Sequence, residues 1–474
     1  MKTVRYGWLG VGVVVLVLVL WNGCGGGSSQ PSNQGPPPPP PKFHGSAYLV
    51  GPIATPTTTE PEAEEVIAID PNNRSNLLVL ITDFSLRATA LGTTKYAISS
   101  NGGSNWSEAF VPLSGMTPTT SDGVLWADNR DPSVGIDKLG NVFLSGIYAQ
   151  PPQMAQHSAS GVYVCAGTLP SATLTAASCR PVFTNTMAND PFGEDKDSLA
   201  VDNSSAGSSG NVYETWIHFT GCSASGCTSK YIAFSRSTDH GVTWSAPNLL
   251  TSGMTDVEWP QMTVGGDGTV YVSYEVFLGN GQAQHMLAVS TDGGQTFPAA
   301  QAITPSYADV AFSTSYRKNS GPNLVVSPVA GAEYVYDVYA VENGAGSDIV
   351  VTRSQQPKGA GGFTTPISVN DSTLGERIFP STAVDANGVL HMSWFDTRNA
   401  TGTGMYDIYA TYSKDQGTTF APNARVTPVS IAAGGFIGDY AGMAVEPGTG
   451  VAHAVWTSGG SNAGALETAT LTAP

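Results

Sequence analysis

Ser237-Thr238-Asp239-His240-Gly241-Val242-Thr243-Trp244 is one of four near copies of a single octapeptide in this chain. The others are Ser99-Ser100-Asn101-Gly102-Gly103-Ser104-Asn105-Trp106, Ser290-Thr291-Asp292-Gly293-Gly294-Gln295-Thr296-Phe297 and Ser413-Lys414-Asp415-Gln416-Gly417-Thr418-Thr419-Phe420. The common pattern is Ser-x-Asp/Asn-x-Gly-x-x-Trp/Phe. Ser and Asp are short side chains that bond nearby backbone groups and so favour a turn over continued strand. Gly supplies the positive φ of a tight turn. The closing aromatic ring tucks under the turn and anchors it. The Asp residues therefore read as turn staples, not as catalytic or metal-binding groups.

This octapeptide resembles the Asp box (BNR repeat) of sialidase-type β-propellers. A second repeat runs in phase with it, an apolar strand, a Gly-containing turn and another strand. Examples are Ser133-Val134-Gly135-Ile136-Asp137-Lys138-Leu139-Gly140-Asn141-Val142-Phe143 and Thr382-Ala383-Val384-Asp385-Ala386-Asn387-Gly388-Val389-Leu390. Such turns are strong hairpin signals. The 474 residues, 55 of them Gly and only 12% charged, suit many short strands joined by turns. The expected fold is all-β, a single sialidase-like propeller of four-stranded blades spanning residues 45–474.

Units begin near Glu65, Asp131, Asp197, Glu258, Tyr316, Arg377 and Tyr440. That gives seven blades; six, the number in true sialidases, is the alternative. The last unit shows three strands, and the stretch Ala47 to Ala54 is placed to add its fourth and close the ring, which removes exposed edges.

The N-terminus reads as an export signal over residues 1–24. Lys2 and Arg5 precede the apolar stretch Trp8 to Trp21, which is short for a bilayer span. Trp21-Asn22-Gly23-Cys24 resembles a bacterial lipoprotein box, which implies lipidation at Cys24. Trp21 departs from the usual Leu there, and a plain secreted protein remains an alternative. Residues 25–44, rich in Gly, Ser and Pro, read as a tether. The expected location is the bacterial cell surface or outer membrane, with the membrane met only through the lipid.

Cys165, Cys179, Cys222 and Cys227 allow three pairings. The short separations favour Cys165–Cys179 and Cys222–Cys227, as suits an exported chain. A zinc site is the alternative, with unsuitable spacing and no nearby His. The net charge of −17 becomes −19 once Lys2 and Arg5 leave, and no basic run exists. Nucleic acid and anionic membrane faces are thereby poor partners. No cofactor is expected, and the chain reads as a monomer.

Strand alternation puts the octapeptide turns on the same face as the a–b turns. The other face then collects ionisable residues around the axis: Glu64, Arg130 with Asp131, Asp195-Lys196-Asp197, Glu258-Trp259, Arg317, Glu376-Arg377 and Asp439-Tyr440. Such convergence suggests a pocket or, equally, a ring of inter-blade staples. A cation held by several carboxylates is a further reading, with no calcium-loop pattern behind it.

The sialidase resemblance implies arginines on a substrate carboxylate, a Tyr nucleophile activated by Glu, and an Asp acid/base. Arg377-Ile378-Phe379-Pro380 is similar to the family's Arg-Ile-Pro, with Phe379 inserted and a late position in the chain. Arg130, Arg317 and Arg398 are the other candidate arginines. Tyr440 with Glu258 forms the candidate nucleophile pair, and Asp131 or Asp439 the acid. Gly435-Phe436-Ile437-Gly438-Asp439-Tyr440 and Trp394-x-Asp396-x-Arg398 look closer to a wider group of exported bacterial Asp-box proteins.

Trp216, Trp394 and Trp456 read as inter-blade packing, and Trp259 as a ligand contact. Three functions follow. One is an exo-glycoside hydrolase acting on terminal acidic sugars of extracellular glycans. The second is a non-catalytic surface lipoprotein that binds glycans or proteins. The third is a structural envelope component.

Overall fold

The structure is a computed structural model. It describes residues 43–57, 61–85, 93–113, 128–149, 160–171, 174–185, 193–221, 227–251, 256–310, 317–400, 404–459 and 464–474. The signal, Cys24, most of the tether, Tyr316 and Cys222 lie outside the described residues.

Seven antiparallel sheets form a closed propeller. Each sheet is one blade with four strands in line, a to d from the axis outward, and in blades 4 and 6 a short extra strand, Tyr307–Ala308 and Ile431–Ala432, also pairs with strand c. Blade 1 comprises Glu62–Ile69, Leu77–Asp83, Thr93–Ser99 and Ser107–Phe110. The a strands of blades 2 to 7 are Asp128–Ile136, Glu194–Val201, Val257–Val264, Asn323–Val326, Arg377–Val384 and Gly442–Val445. The fifth begins later than the expected Tyr316, because Arg317 to Pro322 run as an extended segment against the channel instead of pairing in the sheet.

Leu49–Ala54 pairs antiparallel with Ala465–Thr472 and becomes the outer strand of blade 7. The chain's start and end therefore share one blade. Blade 1 is tied to it by a Thr457 hydroxyl donated to Glu65 and the Leu466 amide donated to Glu62 at 3.0 Å.

The core is a series of apolar layers between neighbouring blades. Ile67, Leu77 and Val79 of blade 1 pack on Val455 and Leu466 of blade 7. Trp216, Trp394 and Trp456 lie in such layers, each 1% exposed or less. Their indole N–H groups donate to Glu194, Asp396 and Glu467, so each ring is buried with its polar edge satisfied.

The four octapeptides fold alike. In blade 3 the Ser237 hydroxyl donates to Asp239 at 2.7 Å, and the Gly241 amide donates back to Ser237 at 2.8 Å. Asp239 then accepts from the Thr243 amide and hydroxyl. Asp292, Asp415 and Asn101 repeat the arrangement. Gly241 takes a φ of 81°, and its α-carbon faces Phe143 of the preceding blade. The closing rings follow suit: Phe297 meets Phe234 of blade 3 edge-on at 4.8 Å. Each turn is thus a wedge between two blades. Asp292 is held well below the usual carboxylate range, chiefly by the Thr296 hydroxyl and then by backbone amides and Ser290.

In blade 2, Cys165 and Cys179 face each other across strands Ser160–Thr168 and Cys179–Asn185 and form a disulfide. No helix among the described residues is long and apolar enough to cross a membrane.

Candidate functional site

The channel is shaped by one backbone device repeated in five a strands. Sheet register slips after Ala63, Arg130, Asp195, Glu258 and Ile378, leaving two residues opposite one partner residue. These are β-bulges, which bend a strand and re-aim its side chains. The first bulged residue is Glu64, Asp131, Lys196, Trp259 or Phe379, with φ between 50° and 66°. Non-glycine residues seldom adopt this conformation, and where they do the surrounding structure must hold them there.

The bulge divides two sets of residues that lie side by side in the sequence. Residues just before it pair into the blade, as Glu62 opposite Asp83, Glu194 opposite His218 and Arg377 opposite Asp396. Bulged residues of successive blades meet around the axis. Lys196 Nζ lies 3.0 Å from Asp131, 3.3 Å from Asp195 and 3.2 Å from Asp439. It also lies 5.5 Å from the centre of the Trp259 ring. Arg317 pairs with Asp439 as well, and its guanidinium covers Phe436 at 5.0 Å. Asn319 donates to the Asp439 carbonyl at 2.7 Å.

Burial and proximity set the charge of these groups. Burial, followed by the neighbouring Asp131 charge, pushes Glu64 up to about 8. Burial alone would raise Asp131 too, but Lys196, helped by Arg130, holds it well below the usual range. Burial raises Asp195 to about 6 against the pull of Lys196. Lys196 loses some basicity to burial and regains more from Asp131 and Asp195, so it stays charged. Asp197 and Glu214 lie close together, and burial followed by their mutual repulsion raises the Glu214 carboxyl far above its ordinary value, as burial does for Asp197. Ser145 donates to Asp197 at 2.7 Å.

A pocket of about 100 Å³ opens at this cluster, walled by Asp197, Trp259, Gln261, Phe379, Asp439 and Tyr440 among others. That volume admits part of a ligand; pockets for whole drug-sized molecules run to roughly 300–1,000 Å³. Among the described residues, the Tyr440 hydroxyl and the Gln261 amide have no hydrogen-bond partner. Burial and then the Glu64, Asp131, Asp197 and Glu65 carboxyls keep the Tyr440 phenol well above its usual value. It is a donor at neutral pH.

Of the candidate residues named from the sequence, the structure brings together Asp131, Asp439, Tyr440, Arg317 and Trp259. Arg130 sits beside Asp131 at the bulge. Glu258 is elsewhere engaged: it pairs with Lys230, and the acids around Tyr440 are those just given.

Arg377 is fully buried. It donates to the Ser347 carbonyl at 2.9 Å and to the Leu374 carbonyl, and lies 3.4 Å from Asp396. Arg398 holds the same Asp396 at 2.7 Å, reaches Asp371, and covers the Tyr409 ring at 4.0 Å. These two arginines form a staple between blades 5 and 6 and do not line the pocket.

The sequence reading places Glu64, Lys196 and Asp197 in the ionisable ring on this face without individual roles, and does not single out Glu214 or Gln261. What aims Glu64 and Lys196 at the axis is the two-against-one register slip, which exists only once strands are paired. Among the described residues no three His, Cys, Asp or Glu side chains are placed to hold a metal ion.

No protein-family model matches the chain, and no curated protein does. Solved structures do resemble it. A protein of unknown function from Dyadobacter fermentans DSM 18053 aligns with TM-score 0.50 at 11% identity, over 92% of this chain and 98% of that one. A Hadza microbial sialidase aligns with TM-score 0.46 at 11% identity, over 86% and 65%. The Fusarium graminearum GH93 α-L-arabinofuranosidase, in complex with arabinobiose, aligns with TM-score 0.45 at 12% identity, over 89% and 97%. At such identities the likeness speaks to fold alone: this chain is an all-β, seven-bladed propeller with sialidase-like neighbours.

Proposed function

We propose that this chain is an exported, lipid-anchored propeller that recognises glycans through the axial pocket at Tyr440. One observation carries the reading. The pocket sets the part-exposed Trp259 ring beside uncommitted polar groups, the Tyr440 hydroxyl and the Gln261 amide. Sugars present apolar C–H faces and rows of hydroxyls, and this lining offers both a stacking surface and hydrogen-bond partners.

Sialidase-type hydrolysis is supported less well than recognition. That chemistry needs several arginines turned on one carboxylate and a base at the tyrosine. Here Arg317 is tied to Asp439, and Arg377 and Arg398 to Asp396. Tyr440 is surrounded by acids that keep its proton on.

The purified propeller, residues 43–474, is expected to bind a defined subset of a glycan array, with Trp259→Ala weakening that binding at least tenfold. A folded protein that bound nothing would sink the reading. Turnover of a fluorogenic sialoside, lost in Tyr440→Phe, would replace recognition by catalysis.

A further inference from the structure

The charges around the pocket point to the chemical class of its ligand. We infer that the sugar unit entering the pocket is uncharged, and that an acidic sugar is rejected there. This rests on the glycan-recognition reading above and narrows it.

Among the described residues, three cations stand at the cluster: Arg130, Lys196 and Arg317. Lys196 is gripped by Asp131, Asp195 and Asp439, and Arg317 by Asp439. Arg130 acts on Asp131. Three ionised carboxylates thus face three cations. Burial raises the remaining acids above the ordinary carboxylate range. Glu64 lies against Asp131, Asp197 against Glu214, and Glu65 is bonded to Thr457. The cluster as a whole carries no surplus positive charge.

A ligand carboxylate would have to enter a largely desolvated space where each of these guanidinium and ammonium groups already has its anion. Burying a charge without a partner costs several kcal/mol, so displacing one of these pairs returns little. The chain's net charge of −17 repels anions at longer range. Hydroxyl groups meet no such barrier. The Gln261 amide offers both a donor and an acceptor, Tyr440 donates, and neither must give up a protein partner first. The indole of Trp259 is held by Lys196 and the close approach of Gly321.

The test compares neutral glycans with acidic counterparts of the same skeleton, hexose against hexuronic acid and galactosyl against sialylgalactosyl ends. Binding is measured by calorimetry on the propeller at pH 7. The neutral member is expected to bind at least tenfold more tightly. Asp439→Asn, which frees Arg317 and one face of Lys196, is expected to shrink that ratio by improving the acidic member. Preference of the wild-type protein for the acidic member overturns the inference and leaves glycan recognition standing. Binding of neither member, with folding shown by circular dichroism, overturns both. The wild-type comparison decides the matter even if the variant fails to fold.

Discussion

At the residue scale, similar side chains do different work according to which side of a bulge they occupy. Arg377 and Arg317 both stand near the axial end of an innermost strand or the segment leading to it. Arg377 is enclosed by carbonyls and Asp396, while Arg317 faces the channel. Arg377→Ala would leave Asp396 with Arg398 alone and open a void in a fully buried site. It is expected to destabilise the fold by about 3 kcal/mol, since breaking one side of a buried pair costs roughly 3–5 kcal/mol before the second arginine compensates. Glycan affinity of the folded fraction should not change. Urea denaturation together with calorimetry reads both quantities. Loss of binding at unaltered stability would mean that Arg377 reaches the ligand after all. The sequence places both arginines near one face; which of them is consumed by its own blade depends on partners well separated in the chain, Asp396 for Arg377 and Asp439 for Arg317.

At the element scale, two local devices recur. The octapeptide turn is legible from residue types, because its bonds lie within eight residues: Ser290 to Asp292, Gly294 to Ser290, Thr296 to Asp292. Asp239→Ala removes acceptors for the Thr243 amide and hydroxyl and for Ser237. The turn is exposed, so water replaces part of what is lost. A cost of about 1 kcal/mol is expected, with faster amide exchange confined to residues 239–244. Exchange spreading through the whole of blade 3 would show that the turn controls more than its own hairpin. The bulge is the second device, and it is not legible. Glu64, Asp131, Lys196, Trp259 and Phe379 share a backbone conformation but no residue type. The strain of a left-handed non-glycine residue is held by the sheet around it, and composition records nothing of that.

At the scale of the molecule, closure and proton balance matter most. Glu65 is completely buried where blade 1 meets blade 7, and burial lifts its carboxyl from 4.5 to about 8. Between these values the folded chain holds a proton that the unfolded chain has released. Folding stability therefore falls as pH rises through this window. The contribution is complete below the lower value and gone above the upper one. Glu64, Asp197 and Glu214 act in the same direction. The thermal midpoint is expected to drop between about pH 5 and pH 9 when followed by scanning calorimetry. A midpoint that is level or climbs over that range would contradict the burial of these acids in neutral form.

Repetition of short-range patterns was enough to determine the all-β propeller and to point to the early strand that completes the last blade; it favoured seven units over six, and the structure has seven. Hairpin turns and alternating apolar residues act over a few residues, and a propeller is a sum of such pieces. The Cys165–Cys179 pairing belongs to the same class, since the two residues are neighbours across one hairpin. The fifth blade starts later than the sequence suggests because residues between Arg317 and Pro322 are held by Asp439 and Glu376, from outside the blade, and not by a strand partner. Only the tertiary structure decided which polar residues form the pocket. Lys196 of blade 3 meets Asp439, and Tyr440 comes near Glu64, because the closed ring turns these inner ends toward one axis and brings the last blade against the first. Such contacts join residues far apart in the chain, and their charge states depend on burial that no single segment possesses by itself.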